Sequence, residues 1–305
     1  MLMRMIVLVL LLVGCSSGQQ FELSMSGEKA ERLQQFYFSS YTNENPFEVG
    51  ILEKRKRKVY FNLSVLKEFE PEFAINLESR ITGNFLDAES LKTVVQATYF
   101  DARNLPQTLT EFNARWAIDN PKIFEVHGPV TRYLRQITMS EKALQYAILN
   151  YFANGEKLYY PTGTVIKAEH ISENKILETT AMMKRSDGFW DFVTYDSTGY
   201  RASETLPNPR ALATPTQCVG CHLGKKPFEP EDSWPSDAPD APGGIRKWYT
   251  GARDQQVTDF FKEHSLRSDL VLGLYATTYV SDLRVQRKSA TLDSSEIALL
   301  DYLGL

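Results

Sequence analysis

The chain has 305 residues, of which 43% are hydrophobic, 12% aromatic and 24% charged, and its formal net charge at pH 7 is −4. This composition is typical of a globular protein with one large domain or two modest ones. The weakly acidic balance gives no reason to expect nucleic acid as a partner.

The first residues have the pattern of a bacterial export signal. Arg4 precedes an unbroken apolar run at residues 5–13. That run is shorter than the roughly 20 residues needed to span a bilayer, but it fits the core of a signal peptide. It ends in L-V-G-C at residues 12–15, which resembles the bacterial lipobox. We therefore predict a signal peptide at residues 1–14 and a lipid on Cys15; an ordinary signal peptide or an uncleaved anchor are the alternatives.

Residues 15–25 are then expected to form a lipidated tether. Two or more acyl chains on Cys15 would hold the protein stably on a membrane. Ser16 and Ser17 carry no acidic retention signal of the enterobacterial kind. The expected location is the cell envelope, facing the periplasm from the outer membrane.

Residues 26–126 form an N-terminal section of mixed α/β character whose fold the sequence does not identify. Residues 28–37 have helical periodicity, and residues 59–65 alternate like a strand. Between them lies the basic run K-R-K-R-K at residues 54–58. This run is compatible with docking an acidic partner or lipid head groups, but a solvated turn or a charged strand edge is the favoured interpretation.

A mainly antiparallel β-sheet section is predicted at residues 127–226, followed by a Pro-rich loop and C-terminal helices at residues 227–305, so the expected fold class is α+β with flanking helices. A helix capped by Ser140 is expected within the sheet section, and Ser294 or Ser295 is expected to cap the last helix. The predicted strands are 130–139, 164–171, 178–184 and 189–195, and the predicted helices are 140–152, 252–264 and 294–303.

The three cysteines define the clearest motif in the chain. With Cys15 assigned to lipid, the other two stand in C-V-G-C-H at residues 218–222. Two thiols at this spacing can bond the two vinyl groups of one haem, and the adjacent histidine can bind its iron as the proximal ligand. We predict one covalently bound haem c, held by Cys218, Cys221 and His222.

Two other uses of the cysteine pair are less compatible with the sequence. A structural zinc site needs two further ligands at short spacing, and only His264 follows the motif. A thioredoxin-like redox pair needs a βαβ context, which P-T-Q before Cys218 does not indicate.

The order of motifs across residues 130–225 resembles that of the cytochrome P-460 family, which includes the cytochromes c′-beta. A predicted strand and helix are followed by Y-P-T-G-T-V-I-K-A-E-H at 160–170, A-M-M-K-R at 181–185, G-F-W-D-F-V-T-Y-D-S-T-G at 188–199 and then C-V-G-C-H. The resemblance implies an antiparallel β haem domain. It also implies a five-coordinate iron that is open to small nitrogenous ligands such as nitric oxide or hydroxylamine.

Two positions depart from the pattern of the hydroxylamine-oxidising members. Their haem-linked lysine corresponds here to Ala168, and Lys167 comes one place early. Because side chains alternate along a strand, Lys167 should face away from the side shared by Ala168 and His170, and a β-bulge that turns it back is the alternative. The family's distal carboxylate corresponds to Thr180, and Glu178 lies on the same strand face two residues earlier.

The sixth iron ligand is not apparent from the sequence, since no methionine follows the haem motif. We interpret Met182 and Met183 as core residues, His264 as solvated, and His127 as part of a turn before Gly128 and Pro129. His170 is more interesting because it shares a strand face with Ala168, although packing is its favoured role. The weak candidates for catalysis are Glu178, Thr180 and His170.

The favoured function is that of a membrane-anchored periplasmic monohaem c-type cytochrome. Such a haem module would transfer electrons to a redox partner protein or bind a small gaseous or nitrogenous ligand. The alternative is an oxidoreductase that acts on hydroxylamine, nitric oxide or peroxide at an open haem iron.

Overall fold

A computed structural model describes residues 19–24, 28–127, 134–154, 160–204, 211–222, 270–289 and 291–305. The strands are β1 (Gln20–Leu23), β2 (Leu52–Arg55), β3 (Lys58–Asn62), β4 (Phe85–Leu86), β5 (Pro121–His127), β6 (Leu134–Ser140), β7 (Val165–Ser172), β8 (Lys175–Lys184) and β9 (Trp190–Asp196). The helices are α1 (Glu28–Thr42), α2 (Leu63–Phe69), α3 (Pro71–Glu78), α4 (Ala88–Ala102), α5 (Leu109–Arg115), α6 (Glu141–Asn154), α7 (Thr216–His222), α8 (Leu270–Arg287) and α9 (Ser294–Leu303).

The N-terminal section contains a four-stranded sheet in the order β2-β3-β1-β4. All its pairings are antiparallel except that of β1 with β4. The predicted strand at 59–65 ends three residues early, because the Asn62 side chain accepts hydrogen bonds from the Ser64 and Val65 amides and caps α2. The predicted helix at 28–37 is present as α1 and continues to Thr42.

The basic run at 54–58 forms the β2–β3 hairpin. Lys56 and Arg57 make the turn, and Lys56 adopts a positive φ of 57°. The flanking Lys54, Arg55 and Lys58 form ion pairs with Glu31, Glu53 and Glu22, respectively. The run is therefore a solvated turn whose charge is partly neutralised within the chain.

The second sheet has five strands in the order β5-β6-β7-β8-β9, and every neighbouring pair is antiparallel. The predicted strands at 164–171, 178–184 and 189–195 are confirmed as β7, β8 and β9. Residues 130–133 of the predicted strand at 130–139 lie outside the described residues, and the remainder forms β6. The sheet begins with β5 at Pro121, and α6 begins at Glu141, directly after Ser140.

Strand alternation gives this sheet two faces, which are buried by different elements. Face A carries Ile137, Met139, Ile166, Ala168, His170, Glu178, Thr180, Met182, Phe192 and Thr194. Face B carries Val165, Lys167, Ala181, Met183, Val193 and Tyr195. Apolar residues of face A form one buried cluster with residues of α1, α6, α7, α8 and α9, whereas face B forms a second cluster with α4 and α5.

A buried polar network holds the C-terminal helices against this body. Lys122 on β5 pairs with Glu141 at 2.9 Å and with Glu296 at 3.0 Å. The Tyr279 hydroxyl of α8 donates to Glu141 Oε1 at 2.6 Å. The predicted helix at 294–303 is confirmed as α9, but its cap is Asp293 rather than Ser294 or Ser295.

The predicted helix at 252–264 lies outside the described residues. Within the part of the chain that the structure describes, no helix has both the length and the apolar character required to cross a membrane. The α+β fold class with mostly antiparallel sheets is confirmed for the same part of the chain.

Candidate functional site

The C-V-G-C-H motif lies on the short helix α7, which packs against the N-terminal section. Gln96 Nε2 on α4 donates a hydrogen bond to Thr216 Oγ1 at 2.5 Å. Val219 is only 1% exposed and belongs to the main buried cluster, to which face A contributes, and Cys218 is half-buried against that cluster. These contacts attach α7 to the protein body at both its first residue and its middle.

The helical backbone of α7 determines how the motif residues are arranged. Residues three and four apart lie on the same side of a helix, so positions 218, 221 and 222 share one side. Val219, three residues before position 222, provides the packing contact with the main buried cluster. The side chains of Cys221 and His222 lie outside the described part of the structure.

Ala168 lies on the same face of the sheet as the cluster that receives α7. It pairs with Ile137 on β6 and Thr180 on β8, and Thr180 pairs with Thr194 on β9. Three short side chains therefore stand in one row across β7, β8 and β9. The next row consists of the larger Met139, Ile166, Met182 and Phe192. The side chains of the Ala–Thr–Thr row therefore extend less far from face A than those of its neighbour.

Lys167 faces the opposite side of the sheet. Its Nζ donates a hydrogen bond to Asn113 Oδ1 of α5 at 3.1 Å. The pairing of β7 with β8 is regular from Val165 to His170, and its irregularity falls between His170 and Ile171. No bulge turns Lys167 toward face A, which agrees with the direction expected from strand alternation.

His170 and Glu178 form a buried pair on face A. They are directly opposite each other in the β7–β8 ladder, and His170 Nδ1 lies 2.8 Å from Glu178 Oε1. The two residues are 6% and 7% exposed. The structure thus brings two of the three weak catalytic candidates into contact, and Thr180 lies on the same face, with its hydroxyl donating to the Ala168 carbonyl at 3.4 Å.

Arg135 is a member of this site that the sequence did not indicate. It pairs with His170 across the β6–β7 ladder, so that a guanidinium, an imidazole and a carboxylate follow one another across three strands. Its Nε is buried and makes no hydrogen bond to any described residue. The row depends on the long-range register of β6 with β7 and on the register of the β7–β8 hairpin, neither of which the sequence shows.

The residues present fit a haem c. The motif positions lie on one side of a helix that packs into the main buried cluster, and face A, which contributes to the same cluster, has a row of short side chains. A haem carries two carboxylate groups, and the orphaned Nε of Arg135 is a donor suited to one of them.

The other candidate ligands occupy different surroundings. Met182 and Met183 are both buried core residues, on face A and face B respectively. His127 is the last residue of β5, and its side chain lies outside the described residues, as does the whole of His264.

The chain matches no protein-family model, no curated protein and no solved structure.

Proposed function

We propose that this protein is a membrane-anchored, periplasm-facing monohaem c-type cytochrome. The observation that carries the proposal is the C-x-x-C-H motif on α7, whose Val219 packs into the buried cluster of face A. When bound, the haem supplies a one-electron Fe(III)/Fe(II) couple. Such a module transfers electrons to a redox partner protein or binds a small gaseous or nitrogenous ligand.

Each residue of the site has a distinct part in this proposal. Cys218 and Cys221 hold the haem through thioether bonds, and His222 is the proximal ligand to its iron. Val219 and the Gln96–Thr216 hydrogen bond fix the helix that carries them. Arg135 donates to a haem carboxylate, which gives its buried Nε a partner.

The resemblance to the cytochrome P-460 family remains part of the proposal, and Ala168 favours a haem module over an oxidase. Face A carries an alanine where the oxidases carry a lysine, and Lys167 is held on face B by Asn113. The second candidate is an oxidoreductase acting on hydroxylamine, nitric oxide or peroxide. The buried His170–Glu178 pair favours it, because an imidazole beside a carboxylate is a common proton-transfer unit.

Covalent haem attachment is the direct test of the proposed function. After expression with a working cytochrome c maturation system, the wild-type band on a denaturing gel should keep haem peroxidase activity, because thioether bonds survive unfolding. The double variant Cys218→Ala/Cys221→Ala should lose that activity. Cys15→Ser is the matched control, and it should keep its haem because Cys15 lies outside the motif. Haem-free wild-type protein under these conditions would contradict the proposal.

A further inference from the structure

His170 lies in a buried row of polar side chains on face A. Both partners of the His170–Glu178 pair are more than nine-tenths buried, and Arg135 stands on the other side of the imidazole. Burying charged and polar groups in a row contributes little to stability, because their desolvation offsets their attraction. Apolar side chains at these positions would pack as well, so the row calls for a role other than packing.

The contact with Glu178 determines which nitrogen of His170 is free to bind a ligand. A carboxylate oxygen 2.8 Å from Nδ1 favours the tautomer that carries its proton on Nδ1. Nε2 then holds the lone pair. Histidines that bind metals nearly always have this arrangement, with the second ring nitrogen beside a carboxylate that orients the ring and raises its basicity.

His170 also lies on the face of the sheet that the proposed haem would contact. His170 follows Ala168 by two residues and therefore shares face A with it. Ala168 of face A and Cys218 of α7 pack against the same main buried cluster, which contains Val219 and five apolar residues of face A. Met182 is a buried residue in the apolar row of the same face, and Met183 lies on face B.

We propose that His170, oriented by Glu178, is the second axial ligand of the haem iron. The inference rests on the proposed function and deepens it, because bis-histidine ligation fills both axial positions and favours electron transfer over the binding of small ligands. It differs from the five-coordinate iron that the family resemblance implies.

The spin state of the iron tests this ligation directly. Purified haem-loaded wild-type protein should give the visible spectra of low-spin, six-coordinate iron in both oxidation states, and the oxidised protein should give the electron paramagnetic resonance spectrum of low-spin Fe(III). His170→Ala should convert the haem to high spin while leaving it covalently attached. Added imidazole should restore the low-spin spectrum of His170→Ala, because it fills the vacated position.

Glu178→Gln separates the ligand from the residue that orients it. The variant should remain low-spin, but its reduction potential should rise, because a neutral amide lowers the basicity of the bound imidazole. His264→Ala and His127→Ala are the matched controls, and both should keep the wild-type spectrum.

Failure of the inference differs from failure of the proposed function. A wild-type protein that carries covalent haem but is high-spin overturns the inference alone, as does a His170→Ala variant that stays low-spin. Protein without covalent haem overturns the proposed function. Should His170→Ala fail to fold, His170→Met keeps the test decisive, since ligation predicts a changed axial ligand spectrum and packing alone predicts none.

Discussion

The direction of one side chain, that of Lys167, separates two kinds of haem chemistry. A lysine on face A could approach a haem held by α7, whereas Lys167 lies on face B and contacts Asn113 at 3.1 Å. Adjacent residues of a strand point to opposite faces, so a shift of one position changes the side of the sheet that carries the amine.

We therefore expect the haem to be joined to the chain by two bonds only. A tryptic map should give a haem peptide containing Cys218 and Cys221 and no lysine from β7, and Lys167→Ala should leave the absorption spectrum unchanged. Ala168→Lys is the matched variant, because it places the amine on face A, and it should alter the spectrum. A haem peptide linked to Lys167 would favour the oxidase instead.

The His170–Glu178 contact indicates how far the site could be predicted from the sequence. Alternation alone places both residues on one face. The β7–β8 turn is formed by Glu173 and Asn174, both with positive φ, and pairs Ser172 with Lys175. Counting evenly from that turn would pair His170 with Leu177, but the ladder shifts by one residue and brings Glu178 opposite. Such a bulge has no local signal in this sequence.

At the scale of elements, a buried ionic network joins α1 and α4 to the five-stranded sheet. Asp191 of β9 accepts hydrogen bonds from the hydroxyl of Tyr99, which lies on α4, and from Arg103, which directly follows α4. Arg185 donates to Ser39 and Ser40 of α1 and lies 3.6 Å from Asp191. Burial, together with the charge of Asp191, raises the pKa of Tyr99 well above its ordinary value, so its hydroxyl stays protonated.

Asp191→Ala should destabilise the protein strongly, because it leaves Arg103 and Arg185 without their shared carboxylate. We expect a loss of about 3–5 kcal/mol in the free energy of unfolding, measured by urea titration. Asp301→Ala is the matched control: Asp301 pairs with Arg287 at the surface, and its loss should cost about 1 kcal/mol or less. Equal effects of the two substitutions would show that the Asp191 network does not join these elements.

The polar network under α9 predicts a dependence of stability on pH. Burial alone would raise the pKa of Glu296, but hydrogen bonds from the Asp293 amide and Lys122 outweigh it and hold the pKa below its ordinary value. Burial alone would lower the pKa of Lys122, but its hydrogen bonds to Glu141 and Glu296 raise it overall.

Glu296 therefore stabilises the fold above its unfolded-state pKa of about 4.3, and this contribution is lost as the pH falls through its lower folded-state pKa. Lys122 contributes below about pH 10.4 and loses its contribution as the pH rises through its higher folded-state pKa. The free energy of unfolding should fall less steeply between pH 7 and pH 3 in Lys122→Met than in the wild type. Denaturant unfolding at each pH measures this difference. Lys92→Met, which removes an exposed pair with Glu89, should not change the profile. Parallel curves for wild type and Lys122→Met would contradict this assignment.

Element types were more predictable than element ends. The periodicity of 28–37 and the alternation of β7, β8 and β9 indicate helix and strands correctly, because a buried face repeats along the chain. The ends depend on single polar contacts instead. Asn62 ends β3 by capping α2, and Asp293 caps α9 although two serines follow it.

At the scale of the whole molecule, the two sheets are parts of one body. Phe36 of α1 packs edge-on against Phe189, with ring centroids 5.5 Å apart, and the main buried cluster contains residues from both sheets. The sequence could not reveal this association, because it depends on packing between segments far apart in the chain. The N-terminal section thus covers both an edge and a face of the sheet that bears the candidate site.

The proposed lipid anchor predicts where this body is found in the cell. Wild-type protein should fractionate with membranes and be released by detergent, whereas Cys15→Ser should be released without detergent or remain unprocessed, because the lipid attaches only through that thiol. Its haem content should be unchanged. Mature wild-type protein that is freely soluble and begins at a residue other than Cys15 would contradict the anchor.

The placement of α7 also has a consequence for the order of events during biogenesis. The Gln96–Thr216 hydrogen bond closes a loop of 120 residues, and contacts of such long sequence separation form late in folding. The helices and strands before residue 205 can assemble while the segment that contains the motif is still undocked. In the proposed cytochrome, attachment of haem to the two thiols therefore has a limited time window, which ends when Val219 enters the core. Substitutions that accelerate folding of the N-terminal section should shorten this window and lower the yield of holoprotein, even though none of them touches the haem.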